Sequence, residues 1–152
     1  MTTSPSRRAA AKSLALAAAG VAVSTSSAAG TPVNPSTNAK YKAVFAVSDA
    51  DPARWNMVLG NIRNAQADLG ADNVLIELVA YAGGIGMLKL DAETAQRVSE
   101  AARAGVLVSA CENSMRGHNL TRAQLNPQTG TVPSGVGHLI RRQNEGYAYI
   151  RS

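Results

Sequence analysis

Cys111 stands where an apolar run, Val106-Leu107-Val108-Ser109-Ala110, gives way to the polar stretch Glu112-Asn113-Ser114. If the run is a strand of an open parallel α/β sheet, its carboxyl end is where such folds gather their chemistry. A helix starting just behind the thiol favours the thiolate through the partial positive charge at its N-terminus. The other reading makes Cys111 a small buried hydrophobe that closes the strand. Nucleophilic catalysis would want a base, but His118 and His138 match no recognised cysteine-protease spacing. One cysteine and two scattered histidines also lack the clustering of a zinc site, so neither a metal nor another cofactor is expected. Asp49 and Asp51 fall at the end of an earlier apolar run and could serve as acids or bases. Turn formation and helix capping already account for them. One chemistry asks only for an accessible thiol of low pKa: carrying sulfur as a persulfide that a second protein or a small thiol removes by exchange.

The elements that must position these residues alternate along the chain. Val44-Phe45-Ala46-Val47 is a short strand covered on both faces. Asp51 as N-cap and Pro52 at the first helical position open a helix. Trp55, Val58, Leu59, Ile62, Ala65 and Leu69 form its apolar face, and Gly70 ends it. Residues 74–80 form a second strand, apolar except for Glu77. That carboxylate must reach solvent, a partner chain or a basic group, because burying it unpaired is costly. The run Tyr81-Ala82-Gly83-Gly84-Ile85-Gly86-Met87 follows at the strand's carboxyl end and reads as a tight turn. Gly83, Gly84 and Gly86 permit positive φ or close approach and could line a ligand or subunit contact. No GxGxxG pattern and no following Lys-Ser/Thr mark a phosphate cradle.

Asp91 is expected to cap a second helix, with Ala95, Val98 and Ala102 inward and Gly105 closing it. Residues 106–110 are the third strand, delivering Cys111, and Glu112, Asn113 and Ser114 offer capping groups for a short helix. Thr121-Arg122-Ala123-Gln124 has capping-box form, residues 128–133 give a fourth strand, and Ser134 caps a last helix. Val136, Leu139, Ile140 and Gln143 are placed on one side of that helix, and Arg141-Arg142 on a solvated face. Residues 147–150 are the fifth strand. A βαβαβαβαβ order implies a doubly wound domain: mostly parallel strands in a three-layer α/β/α sandwich.

The first 29 residues read differently. Arg7, Arg8 and Lys12 precede an apolar run at 14–23 and the small-residue exit Ser24-Thr25-Ser26-Ser27-Ala28-Ala29. This is the pattern of a cleaved export signal, and the paired arginines resemble the twin-arginine type. The run is too short to cross a bilayer, which takes roughly 20 residues. Cleavage is expected after Ala28 or Ala29, with residues 30–40 a flexible linker and 41–152 the folded domain. Cleavage lowers the basic residues from 15 to 12 against 10 acidic ones, and the net charge from +5 to +2. The basic balance therefore implies no nucleic-acid partner, and no membrane association is expected once the signal is gone. A single cysteine excludes an internal disulfide, so the core alone must hold a periplasmic or otherwise extracytoplasmic fold.

Five segments together resemble the DsrE-like (DsrE/DsrF-like) family. They are Ser48-Asp49-Ala50-Asp51 after the first strand, the stretch 79–88 around Tyr81-Ala82-Gly83-Gly84, Ala110-Cys111-Glu112-Asn113-Ser114-Met115, Val132-Pro133-Ser134-Gly135-Val136, and the stretch 145–150 ending in Tyr149-Ile150. The likeness covers nearly all of residues 41–152 and is nearest to the exported or single-domain branch. It implies a three-layer α/β/α fold, assembly into dimers, trimers or hexamers, here expected as a homo-oligomer, and, in some members, a sulfur-relay cysteine, whose position here is Cys111. Two departures accompany it: relay members are cytoplasmic and work with partner subunits, and the branch's Gly-Pro-Gly turn lacks its proline at Gly83-Gly84. Three functions are thus on the table. The chain is a sulfur carrier or sulfurtransferase-type relay with Cys111 as persulfide and Gly83, Gly84, Gly86, Asn113 and Ser114 around a binding site. Or it is a non-enzymatic oligomeric binding or assembly module with a structural Cys111. Or it is a cysteine hydrolase drawing on His118 or His138.

Overall fold

The computed structural model describes residues 38–151, so the expected export signal and all but the last three residues of the expected linker lie outside it. Five strands, β1 (Tyr41–Val47), β2 (Val74–Ala80), β3 (Leu107–Cys111), β4 (Gly130–Val132) and β5 (Ala148–Arg151), form one sheet in the order β4-β3-β2-β1-β5. Every neighbouring pair is parallel. Four helices connect them: α1 (Pro52–Leu69), α2 (Ala95–Arg103), α3 (Glu112–Gly117) and α4 (Gly135–Asn144). The run after β2 is a seven-residue 3-10 helix, Ala82–Leu88, in place of the expected tight turn.

Local chemistry sets most boundaries. The Asp51 side chain accepts the Ala53 N–H at 2.9 Å, and Pro52 opens α1. Gly70 ends that helix at φ 85° and Gly105 follows α2 at φ 88°, a backbone region in which glycine carries no side-chain penalty. Ser134 Oγ accepts the Gly137 N–H at 3.2 Å at the start of α4. Thr121 and Gln124 close a capping box around a short 3-10 turn, Arg122–Gln124.

From β1 to β4 the chain steps one way across the sheet, and the connections lie on one face. There Trp55, Val58, Leu59 and Ile62 of α1, Val98 of α2 and Met115 of α3 pack with Phe45, Ile76, Leu78, Val108 and Ala110. The step from β4 back to β5 runs the other way, and a right-handed crossover in that direction must use the opposite face. Helix α4 makes it. Its Leu139, with Tyr147 beyond its end, packs on Val44, Ala46 and Val79. Among the described residues this second face is covered by one helix, beside which lies a groove of about 510 Å³ bounded by Leu107, Ser109, Val132, His138 and Arg142.

Several sequence expectations change. Asp91 does not cap α2: the helix begins at Ala95 behind Thr94, and Asp91 pairs on the surface with Lys89. The physical reason is that residues 88–90 are tied to the β3–β4 connection, with Leu90 N–H donating to Gln124 O and Asn126 N–H to Leu88 O. The buried Thr94 hydroxyl donates to Met87 O at 2.9 Å and is not free to cap. Strand β4 is only three residues long, and β5 is exposed throughout, with the buried Tyr147 preceding it. In α4 the inward face is Gly135, His138, Leu139 and Arg142, while Val136 and Ile140 are 55% and 56% exposed.

The glycines after β2 are required by contact. None of the three has a positive φ. A Cβ on Gly84 would lie 2.2 Å from Val47 O, one on Gly83 2.8 Å from Ala50 Cβ, and one on Gly86 2.9 Å from Trp55 Cη2. Since the atom facing Gly84 is the backbone of a central strand, Gly84→Ala is expected to cost at least about 3 kcal/mol. A lowered urea midpoint with an unchanged slope checks this.

Candidate functional site

Helix α3 leaves β3 toward one face and α4 leaves β4 toward the other. Between two such neighbouring strands the chain opens a crevice at the carboxyl edge of the sheet, the usual place for a ligand or reactive group in an open α/β fold. Cys111 is the last residue of β3, lying beside Val132 of β4 in that position. It is also the N-cap residue of α3. Its side chain faces α4: a Cβ on Gly135 would sit 3.2 Å from Cys111 Cβ and 2.8 Å from Tyr81 Cβ. Glycine at 135 is what lets α4 start directly over the thiol.

The Gly135 N–H donates to Cys111 Sγ at 3.1 Å. Burial by itself pushes the thiol up, since the residue is only 4% exposed. The Ser114 hydroxyl, and the N–H groups of Ser114, Gly135 and Asn113, outweigh that and hold it below the ordinary thiol value. These donors come from the first turns of two helices, which adds the favourable ends of both dipoles. The Ser114 hydroxyl is oriented for the task. Its oxygen accepts the Ala82 N–H at 2.7 Å, which leaves the proton for the sulfur. Ala82 in turn has φ 46°, a left-handed conformation that a non-glycine residue adopts at a cost of about 1–2 kcal/mol. A strained residue is thus held against the side chain that supports the thiol.

The other sequence candidates are placed as follows. Asn113 lends its N–H to the sulfur while its side chain accepts from Arg116. Gly83, Gly84 and Gly86 pack against Ala50, Val47 and Trp55, around the β1–α1 junction. Asp51 is the α1 cap, and the Asp49 carbonyl accepts the Trp55 indole N–H at 2.7 Å, so both serve the same junction. His118 is exposed beyond α3. His138 is engaged with Glu77, and among the described residues no histidine hydrogen-bonds Cys111. No group of three His, Cys, Asp or Glu side chains fit to hold a metal occurs among the described residues.

A second cluster lies behind the thiol. Glu77, 1% exposed on β2, receives hydrogen bonds from Ser109 Oγ at 2.5 Å, His138 Nε2 at 2.8 Å and Arg142 Nε at 2.5 Å. Arg142 also donates to Glu145 Oε2 at 2.6 Å and lies 5.0 Å from the Tyr147 ring centre. Burial opposes the guanidinium charge, and the Glu145 and Glu77 carboxylates more than restore it. Arg142 is therefore not on a solvated face: it is the basic group that Glu77 needs. The signal was in the sequence, since a carboxylate within an apolar strand demands such a partner. Which base answers it is set by the path of α4 over the sheet, and no local pattern carries that.

The sequence matches the DsrE/DsrF-like family over residues 42–151. The chain belongs to that family. The family is associated with sulfur relay in general. The DsrE/DsrF-like chain is similar to a solved structure, the protein of unknown function MTH1491 from Methanobacterium thermoautotrophicum. The two are 41% identical, with 74% of this chain and 99% of that chain covered and a TM-score of 0.71. It shares its fold with the conserved protein of unknown function BT1422 from Bacteroides thetaiotaomicron. Identity there is 13%, coverage 77% of this chain and 99% of that chain, and the TM-score 0.62. No curated protein matches the chain.

In this DsrE/DsrF-like domain the acidity of Cys111 comes from N–H and O–H donors, with no charged side chain among its causes. Removing one donor therefore raises the thiol pKa. Ser114→Ala is expected to move the thiolate absorbance titration of Cys111 to higher pH, so that less thiolate is present at any neutral pH. The same variant frees the Ala82 N–H and is expected to lose about 1 kcal/mol of stability.

Proposed function

We propose that this DsrE/DsrF-like protein is a sulfur carrier that holds sulfane sulfur as a persulfide on Cys111. The observation that carries the reading is the donor set converging on Sγ from α3 and α4. It favours an anionic sulfur without a dedicated base, which is what persulfide exchange asks of a protein. The Cys111 thiolate attacks the outer sulfur of a donor persulfide. The donor's S–S bond breaks, a Cys111 S–S bond forms, and the donor leaves as its thiolate. An acceptor thiolate then takes the outer sulfur, and Cys111 departs as the thiolate. Neither step needs an outside oxidant or reductant. Because Cys111 is buried, transfer requires displacement of the cover formed by Tyr81 and the first turn of α4. The donor and acceptor are a partner protein or a small thiol. The basic and apolar pattern of residues 1–29 supports an extracytoplasmic setting for this exchange.

Incubation with glutathione persulfide is the direct test. Intact-mass spectrometry is expected to show a gain of one sulfur atom that cyanide removes and that Cys111→Ser abolishes. No gain at a thiol shown to be open to alkylation would retire the reading.

We infer a second property, self-association through the face that α4 covers. Val136 and Ile140, one turn apart, are more than half exposed, and Tyr149 of β5 is 42% exposed. Tyr149 lies beside Val44 in the sheet, on the face that α4 covers. Ile140→Asp is expected to lower the mass measured by light scattering to that of one chain. A wild-type protein that already runs as a single chain at high concentration would end the idea.

A further inference from the structure

The Glu77 cluster and Cys111 share one helix. Gly135, His138 and Arg142 stand at the first, fourth and eighth positions of α4 and so lie along one helical face. The first touches the sulfur and the other two touch Glu77. On the sheet side, Ser109 and Cys111 are two residues apart on β3 and face the same way, and Ser109 Oγ donates to Glu77. The sulfur and the carboxylate are thus the two points at which the polar side of α4 is fastened to the sheet. Leu139 makes the remaining, apolar contact.

We propose that Glu77 is a positioning residue for Cys111: by holding His138 and Arg142 it fixes the rotation and height of α4 that keep the Gly135 N–H on Sγ. The inference rests on the reading of Cys111 as the reactive group. Apolar packing through Leu139 resists separation of helix and sheet but is non-directional. A hydrogen bond from Gly135 depends on the direction of the N–H as well as its distance. Two donors from α4, one turn apart, meeting the two oxygens of one buried carboxylate supply the missing direction. Glu77 makes the contact at a cost, since a carboxylate 1% exposed has given up its water. Ser109 holds the carboxylate from the sheet side without touching α4, so it fills the oxygen but does not anchor the helix.

The test is an absorbance titration of the thiolate in the full chain. The matching titration of Cys111→Ser is subtracted to remove the contribution of Tyr81 and the other tyrosines. The remaining titratable groups on the elements packed around the sulfur are Glu112 and Arg116 on α3, His138, Arg141 and Arg142 on α4, and Glu77 on β2. Glu77→Gln is expected to shift the Cys111 midpoint to higher pH and to lower the thiolate fraction at neutral pH about fivefold to tenfold. His138→Ala removes one anchor only and is expected to shift the midpoint the same way by less, and it serves should Glu77→Gln fail to fold. Ser109→Ala also takes a hydrogen bond from Glu77, yet is expected to leave the midpoint in place. A wild-type midpoint in folded Glu77→Gln or His138→Ala would overturn the proposal, as would an equal shift in Ser109→Ala. No sulfur donor enters the experiment, so a failed persulfide assay and a failed titration are separate outcomes.

Discussion

Strand β5 pairs with β1 only because the chain leaving β4 at one edge recrosses the sheet to the far side, and α4 is the segment that makes this crossing. Everything particular to the site descends from that return. It sends α4 to the face opposite α1, α2 and α3, and opens a crevice between β3 and β4. It also brings the first N–H of α4 onto a thiol at the end of a different strand. Had β5 been added beyond β4, the final connection would have kept to the first face. Cys111 would then have met the start of α3 alone.

A helix crossing a sheet by itself has few neighbours to fix its rotation. Among the described residues the apolar cluster on this face is small, five buried residues against nineteen on the other side. The polar contacts to Glu77 make up part of the difference. Their net stabilisation is small, because desolvating the carboxylate and the guanidinium offsets most of their attraction. Their contribution is geometric. Sliding or turning α4 by one residue removes His138 and Arg142 from Glu77 and leaves a buried carboxylate without its donors. The same residues leave Val136 and Ile140 on the outside, so the polar lock within and the apolar stripe without are two results of one helix orientation.

The sequence was legible where structure is local. Apolar runs marked four of the five strands, Asp51 and Ser134 announced their helices, and the strand–helix alternation placed Cys111 at the carboxyl edge of a parallel sheet. It was illegible where a distant contact overrode a local pattern. Periodicity chose Val136, Leu139, Ile140 and Gln143 as the inner face of α4, because an inward face is ordinarily apolar. Here it contains His138 and Arg142, drawn in by Glu77 61 and 65 residues away in sequence. Asp91 looks like a cap, but the tie between residues 88–90 and the β3–β4 connection delays the helix. Gly84 offers freedom of φ or close approach, and the approach to Val47, set by a strand distant in sequence, is the one the fold uses. The donors on Cys111 divide the same way: Ser114 and Asn113 are near neighbours, while Gly135 is brought by the fold.

The pairing of β5 with β1 also bears on the order in which the chain can fold. Ala43 lies beside Ala148 and Ala46 beside Arg151, so the outer edge of the first strand waits for the last residues of the described chain. During synthesis β1, β2 and β3 can associate as soon as they emerge, but that edge keeps its open row of N–H and C=O groups until β5 arrives. Contacts of such long sequence separation pay their loop-closure entropy late and slow the final step. A nascent chain therefore passes through a stage with a nearly complete sheet and an unsealed margin, the form most exposed to pairing with another chain.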